Sequence, residues 1–196
     1  MVDFFFYILF YIMLTFCSIY YITDFLKRNM INEIQKIKTY IGSQLSPDVS
    51  HLTYGKAGQT VDKVGCGIVA VYNALLRCGQ SVDFNDLLHS MEKLRMPWLF
   101  GLFGTKPHSL GKVFRQNNIP YKKYISVKHF NQALPKAQAG IVCTWNPRLR
   151  GIHFYCVYYS DKENCLYSLN YYNQNKPVII DSSVFSQKRW IVGYIL

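Results

Sequence analysis

The longest apolar stretch of the sequence opens the chain. Residues 4–22 hold no charged side chain, and only Thr15 and Ser18 among them are clearly polar. A helix of this length spans about 28 Å, close to the thickness of the hydrocarbon core of a bilayer. Bulky Tyr20 and Tyr21 stand where a signal-peptide cleavage site would need small residues. The pattern therefore predicts an uncleaved transmembrane anchor within residues 1–23.

Basic residues follow this apolar segment, and none precedes it. Lys27, Arg28, Lys36 and Lys38 lie within the next residues of the chain. Because cytoplasmic flanks of membrane spans carry an excess of Lys and Arg, the rest of the chain is expected in the cytoplasm. The localisation predicted is a single-pass membrane protein with a cytoplasmic domain.

An amphipathic stripe follows the anchor. Apolar residues recur at intervals of three and four from Leu26 to Ile41, and Gly42 and Pro47 interrupt the pattern. Residues 24–49 are therefore interpreted as a connecting helix, over 24–41, and a linker. The loop pattern extends over residues 43–64. The domain itself is assigned to residues 50–196.

The hydrophobic period changes along this domain. The first half predicts helices over residues 68–78, 83–93, 107–117 and 126–134. The second half predicts short antiparallel strands over residues 141–145, 152–159, 165–171, 178–180 and 189–195. Helices followed by strands indicate an α+β domain. Residues 94–104 form an apolar loop, which is expected to fill the core, line a substrate cleft or touch a bilayer, and Trp98 is its candidate substrate-binding residue.

Composition narrows the range of partners. Half of the 196 residues are apolar, which excludes a disordered chain, and 22 basic against 11 acidic residues give a net charge of +11. The charge favours anionic lipid or an acidic peptide. No basic run exceeds two residues, so nucleic acid is not expected as a partner. No Cys-x-x-Cys or His-x-x-x-His spacing occurs, so neither a metal nor another cofactor is predicted.

One cysteine stands directly ahead of the best helix. Cys66 lies between Gly65 and Gly67, where the positive end of the helix dipole would lower its pKa and the glycines would let a backbone approach. A lone cysteine here is also compatible with a small buried core residue. Gln59 lies seven residues upstream in a glycine-rich loop, where its amide could join the Cys66 N–H in an oxyanion hole.

A candidate base and its partner lie in the predicted sheet. His153 begins one strand, and Asn170 lies near the end of the next strand. Two antiparallel strands bring these positions side by side, so the Asn170 side chain could orient the imidazole as a base for the thiol. Asn173 and Asp181 are alternatives for this third position.

Three segments taken together resemble a known family. Residues 59–70, 151–154 and 169–171 are similar to the papain-like cysteine peptidases, most of all to the bacteriocin-processing branch that cuts leaders after double glycine. The resemblance implies a helical half followed by an antiparallel sheet. It also implies Cys66 as nucleophile, His153 as base, Asn170 as orienting residue and Gln59 in the oxyanion hole. The sequence departs from that branch in having Gly65 before the cysteine, Asn170 rather than Asp, and Gln59 one residue farther from Cys66.

The function expected from this resemblance is that of a membrane-anchored cysteine peptidase. Its partners would be a peptide or protein substrate, with a precursor peptide as one candidate, and the membrane through residues 4–22. Two alternatives stay open. A thiol acyltransferase would use the same three residues, and a catalytically silent, membrane-tethered module would bind peptide without cutting it.

Overall fold

The computed structural model describes Thr15 and residues 39–146, 151–160, 162–172, 174–187 and 189–196. The chain divides into two units, Met1–Lys36 and Ile37–Leu196. The predicted anchor, apart from Thr15, and residues 24–38 of the connecting helix predicted over 24–41 lie outside the described residues. Residues 39–41 are not helical, so the prediction is wrong at that end of the helix. In the ranges given above, no helix combines the length and the hydrophobicity needed to cross a membrane. The second unit contains all the candidate site residues.

A helix that is buried on nearly all sides organises this unit. Its residues from Cys66 to Leu75 are all buried, as the apolar run of the sequence predicts, and Gly79 follows it with φ +75°. Asp83 caps the next helix by accepting hydrogen bonds from the N–H groups of Asn85 and Asp86. The helices are α1 (Pro47–Ser50), α2 (Val61–Val64), α3 (Cys66–Arg77), α4 (Phe84–Lys93), α5 (Gly111–Gln116), α6 (Val127–Ala133) and α7 (Ser183–Gln187), with 3-10 turns at Trp98–Gly101 and Leu134–Lys136.

The strands form a six-stranded antiparallel sheet and a separate hairpin. The order in the sheet is β3-β8-β4-β5-β6-β7, and β1 pairs with β2. One face of the sheet packs on α3, while Phe130 of α6 and Phe185 of α7 cover the other. This arrangement confirms the predicted α+β class. The strands are β1 (Thr53–Tyr54), β2 (Gln59–Thr60), β3 (Lys122–Tyr124), β4 (Gly140–Asn146), β5 (Gly151–Ser160), β6 (Cys165–Leu169), β7 (Val178–Ile180) and β8 (Arg189–Ile195).

The packed unit begins earlier than residue 50. Ile41 and Val49 are buried in the core that surrounds α3. Asn73 of α3 makes two hydrogen bonds to the backbone of Ile41. Its Oδ1 accepts from the Ile41 N–H at 2.9 Å, and its Nδ2 donates to the Ile41 carbonyl at 2.7 Å. Residues 43–64, expected to be a loop, contain α1, α2 and the β1–β2 hairpin.

The apolar loop at residues 94–104 was expected to fill the core, line a substrate cleft or touch a bilayer, and most of its large side chains do not fill the core. Met96 is buried, but the large side chains from Trp98 to Phe103 are exposed, so this loop does not fill the core. The backbone explains the exposure. Leu99 and Phe100 have positive φ angles, and hydrogen bonds join the loop to neighbouring backbone, which turns the side chains outward.

Candidate active site

Cys66 is the first residue of the buried helix α3. Helix α3 is separate from α2. The Gly65 N–H donates to the Val61 carbonyl and ends α2, whereas the Val69 N–H donates to the Gly65 carbonyl at the start of α3. The first N–H groups of a helix have no partner within it. The Cys66 and Gly67 N–H groups therefore stand at the open end of α3, beside the thiol.

The two glycines that flank Cys66 make room for other parts of the protein itself. A Cβ on Gly65 would lie 2.4 Å from Cγ1 of Val61, and a Cβ on Gly67 would lie 2.4 Å from Oγ1 of Thr105. Thr105 is buried, and its hydroxyl lies 3.1 Å from the hydroxyl of Tyr54. Both glycines therefore make room for neighbouring residues of the protein. The sequence had suggested instead that they make room for an approaching backbone.

Burial, and not the helix dipole, dominates the ionisation of the candidate nucleophile. The Cys66 side chain is only 8% exposed, and desolvation raises the pKa of its thiol to about 11. Backbone hydrogen bonds from Phe154, Gly67 and Cys66 itself act in the opposite direction but do not outweigh burial. The expected lowering of the pKa is therefore wrong for this conformation. The thiol is neutral at pH 7, and its attack on a substrate needs a base.

His153 is held in a defined orientation by its surroundings. Its Nε2 lies 2.7 Å from the backbone carbonyl oxygen of Asn170. The ring stacks with Tyr155 at a centroid distance of 6.0 Å and with Tyr172 at 6.4 Å. Because a carbonyl only accepts, Nε2 carries the proton in this bond, and Nδ1 of the neutral ring is the nitrogen that can receive one.

Asn170 lies beside His153 as the strand pairing predicts, but its main chain makes the contact. The Asn170 Oδ1 accepts from the Gln44 N–H at 2.9 Å, and its Nδ2 donates to the Phe154 carbonyl at 3.2 Å. The residue is fully buried and has φ +62°, a conformation that Asn tolerates better than most residues. Asn170 therefore presents its carbonyl to the ring and uses its side chain to hold neighbouring backbone.

Asp181 and Asn173 are the alternatives to Asn170 for the third position of the candidate triad. Asp181 is exposed, and its carboxylate accepts from the Ser183 N–H at 2.7 Å. Hydrogen bonds from the Ser183 hydroxyl and, to a lesser extent, from the Ser183 N–H lower the pKa of the Asp181 carboxyl. Asn173 lies outside the described residues. Of the two candidates that the structure describes, Asn170 is the one that contacts His153.

A single peptide group connects the candidate nucleophile and the candidate base. The thiol of Cys66 receives a backbone hydrogen bond from Phe154, the residue that follows His153 on β5. The thiol thus reaches β5 at the peptide next to His153.

Gln59, the candidate for the oxyanion hole, lies on the short strand β2. It pairs with Tyr54 of β1 and is half-buried. The chain continues from β2 directly into α2 and then to Cys66. Gln59 therefore lies at the N-terminal end of the segment that continues to Cys66.

Gln44 is a residue at this site that the sequence did not indicate. Its side chain is 8% exposed, and its Nε2 donates to the backbone carbonyl of Asp62 at 2.6 Å. In a continuous helix that carbonyl would accept from the Cys66 N–H. The Gln44 amide thus donates to the carbonyl oxygen that the Cys66 N–H would bind in a continuous helix. No motif marks this role, because Gln44 lies far upstream and reaches the site through its contact with Asn170.

Trp98, the predicted substrate-binding residue, lies in the exposed apolar loop. Its ring contacts Phe103 at a centroid distance of 6.0 Å. The loop leads into Thr105, which packs against Gly67 of α3. The described parts of the chain contain no group of three or more His, Cys, Asp or Glu residues that could hold a metal ion.

Comparisons with known proteins return a similarity in structure alone. No family model matches the chain, and no curated protein matches it. Among the solved structures that match is the peptidase domain of Streptococcus ComA, a bi-functional ABC transporter involved in a quorum-sensing pathway. The identity is 14% and the TM-score 0.47, over 66% of this chain and 88% of that one.

Proposed function

We propose that the chain is a cysteine peptidase that hydrolyses peptide bonds through Cys66, His153 and Asn170. The observation that carries the proposal is the position of the Cys66 thiol. It lies at the open N-terminus of a buried helix and receives a backbone hydrogen bond from Phe154, next to a histidine whose Nε2 is already engaged. A thiol, a base and backbone N–H groups at a helix N-terminus are the components that acyl transfer requires.

The proposed reaction has two steps. Nδ1 of His153 takes the thiol proton as the sulfur attacks the substrate carbonyl, and the Cys66 N–H and the Gln59 amide stabilise the oxyanion. The C–N bond then breaks, and the imidazolium gives its proton to the leaving amine. Water, deprotonated by the same nitrogen, attacks the thioester and releases the acid and the free thiol.

The substrate and the cellular setting are parts of the proposal that derive from the sequence. A precursor peptide is the candidate substrate. Residues 4–22 would anchor the protein in the membrane with the domain on the cytoplasmic side, because of the basic residues that follow them. Proteolysis of intact cells tests the orientation, since digestion of the domain from outside would contradict it.

A thiol-reactive peptide electrophile tests the proposed activity. We expect a peptide vinyl sulfone to label the full-length chain at Cys66 and to label Cys66→Ala not at all. Cys165→Ala is the matched control, because Cys165 is a free, partly exposed thiol on β6 that has no role in the proposed reaction. Labelling that survives in Cys66→Ala and disappears in Cys165→Ala would contradict the assignment.

A second candidate function is a catalytically silent module that binds peptides. The observation in its favour is the burial of Cys66, which keeps the thiol neutral. Such a module would bind peptides equally well as the wild-type chain and as Cys66→Ala, and the vinyl sulfone would not label it.

A further inference from the structure

One short loop exposes an unusual concentration of large apolar side chains. The exposed part of the apolar loop is the segment Trp98–Phe103. Five of its side chains are exposed: Trp98 by 42%, Leu99 by 53%, Phe100 by 69%, Leu102 by 54% and Phe103 by 59%. Contiguous exposed apolar surface of this kind marks sites of interaction in soluble domains.

The backbone holds these side chains outward. The Ala57 N–H donates to the Phe100 carbonyl at 2.8 Å, and the Trp98 N–H donates to the Gly104 carbonyl at 2.7 Å. Leu99 and Phe100 have φ angles of +43° and +60°, which are unfavourable for large side chains. The fold therefore maintains a strained loop whose apolar groups remain in solvent, and strain of this kind concentrates at functional sites.

Basic residues surround the base of the loop. Lys56 lies in the turn whose Ala57 bonds to Phe100, Lys63 precedes Val64, whose carbonyl faces Gly104, and the Nζ of Lys106 donates to the Arg95 carbonyl at 3.0 Å. Two acidic residues belong to the same region: Glu92, whose carboxylate accepts from the Gly55 N–H at 2.6 Å, and Asp62, which precedes Lys63. The local charge is therefore predominantly positive.

We propose that the apolar loop inserts into the surface of an anionic bilayer, with Lys56, Lys63, Arg95 and Lys106 contacting lipid phosphates. Apolar and aromatic groups within a basic rim are the combination that interfacial membrane binding requires. A peptide-binding cleft would enclose its apolar lining, whereas these side chains are 42–69% exposed. The proposal depends neither on the proposed peptidase activity nor on the predicted anchor.

Tryptophan fluorescence in vesicles tests this contact on the full-length chain. The double variant Trp145→Phe/Trp190→Phe leaves Trp98 as the single tryptophan. In vesicles of phosphatidylcholine with phosphatidylserine, brominated acyl chains are expected to quench most of the Trp98 emission. Quenching should be weaker in phosphatidylcholine alone. Additional Lys56→Glu and Lys106→Glu substitutions should reduce quenching in the anionic vesicles only.

A matched variant controls for tethering by another part of the chain. Trp98→Phe/Trp145→Phe leaves only Trp190, which packs on Phe130 at a centroid distance of 5.0 Å, and its emission should not be quenched. Equal quenching of both variants would overturn the proposal, as would no quenching of Trp98. A shift of Trp98 emission on addition of a peptide substrate, without quenching by brominated lipid, would also overturn it and would assign the loop to the substrate cleft.

Discussion

Replacing Asn170 separates two ways in which this residue could serve His153. In Asn170→Ala the backbone carbonyl that binds the imidazole remains, while the side chain that holds Gln44 and Phe154 is lost. If the carbonyl orients the ring, the substitution should reduce stability far more than turnover. If the side chain orients the ring, turnover should fall even in the fully folded protein.

The expected loss of stability follows from the contacts. The substitution leaves the Gln44 N–H and the Phe154 carbonyl without their partner, and each buried unpaired group costs about 1–3 kcal/mol. An alanine at φ +62° adds about 1 kcal/mol. The sum, about 3–7 kcal/mol, is a large part of the roughly 5–15 kcal/mol that stabilises a typical domain. Asn170→Gly loses the same contacts without the Cβ strain, so it should be about 1 kcal/mol more stable than Asn170→Ala.

Urea denaturation and steady-state kinetics on the same preparations provide the measurement. We expect kcat of the folded fraction of Asn170→Gly to remain within about tenfold of the wild type, because Nε2 keeps its acceptor. The reasoning would be refuted by a variant whose unfolding free energy is within about 1 kcal/mol of the wild type while its kcat falls about 10³-fold. That result would show that the amide, and not the carbonyl, positions the ring.

Three further predictions concern the surroundings of Cys66. Iodoacetamide should alkylate Cys66 about tenfold faster for each unit of pH between 6 and 9, because the thiolate fraction rises below a pKa of about 11; a rate that is level near neutral pH would reveal a thiolate already formed. Gly67→Ala should lower the melting temperature markedly, because its Cβ would meet Thr105 at 2.4 Å, whereas Gly58→Ala has nothing within 4 Å and should lower it less. Gln59→Ala should reduce kcat about 10²-fold but leave iodoacetamide alkylation unchanged, since alkylation forms no oxyanion; equal losses in both assays would indicate structural damage instead.

Much of the fold could be predicted from local patterns. The burial of α3 follows from an apolar run that leaves no polar face, and Gly79 and Asp83 mark the ends of helices because their roles depend on a few neighbouring residues. Five of the six strands of the sheet were predictable because short Ile-, Val- and Tyr-rich runs alternate with turn residues, whereas β3, with two lysines among its three residues, was not predicted. The proximity of His153 and Asn170 follows from the same pairing, since adjacent antiparallel strands bring the start of one beside the end of the next.

Other features of the candidate site depend on contacts between distant segments. The role of Gln44 arises because a segment well upstream of Cys66 folds back onto Asn170 and Asp62, and no local pattern records this contact. The exposure of the apolar loop also could not be predicted, because hydrophobicity favours burial and only the hydrogen bond from Ala57 and the positive φ angles turn Phe100 outward.

By itself, the sequence determined the candidate residues for catalysis, the α+β class and most of the helices and strands, because these depend on residue type and on short-range periodicity. The tertiary structure decided which atom of Asn170 meets His153, and that the Cys66 thiol is neutral. The physical reason is that a hydrogen-bond partner and a pKa depend on the direction and burial of a group. Both are set by packing between segments far apart in the chain.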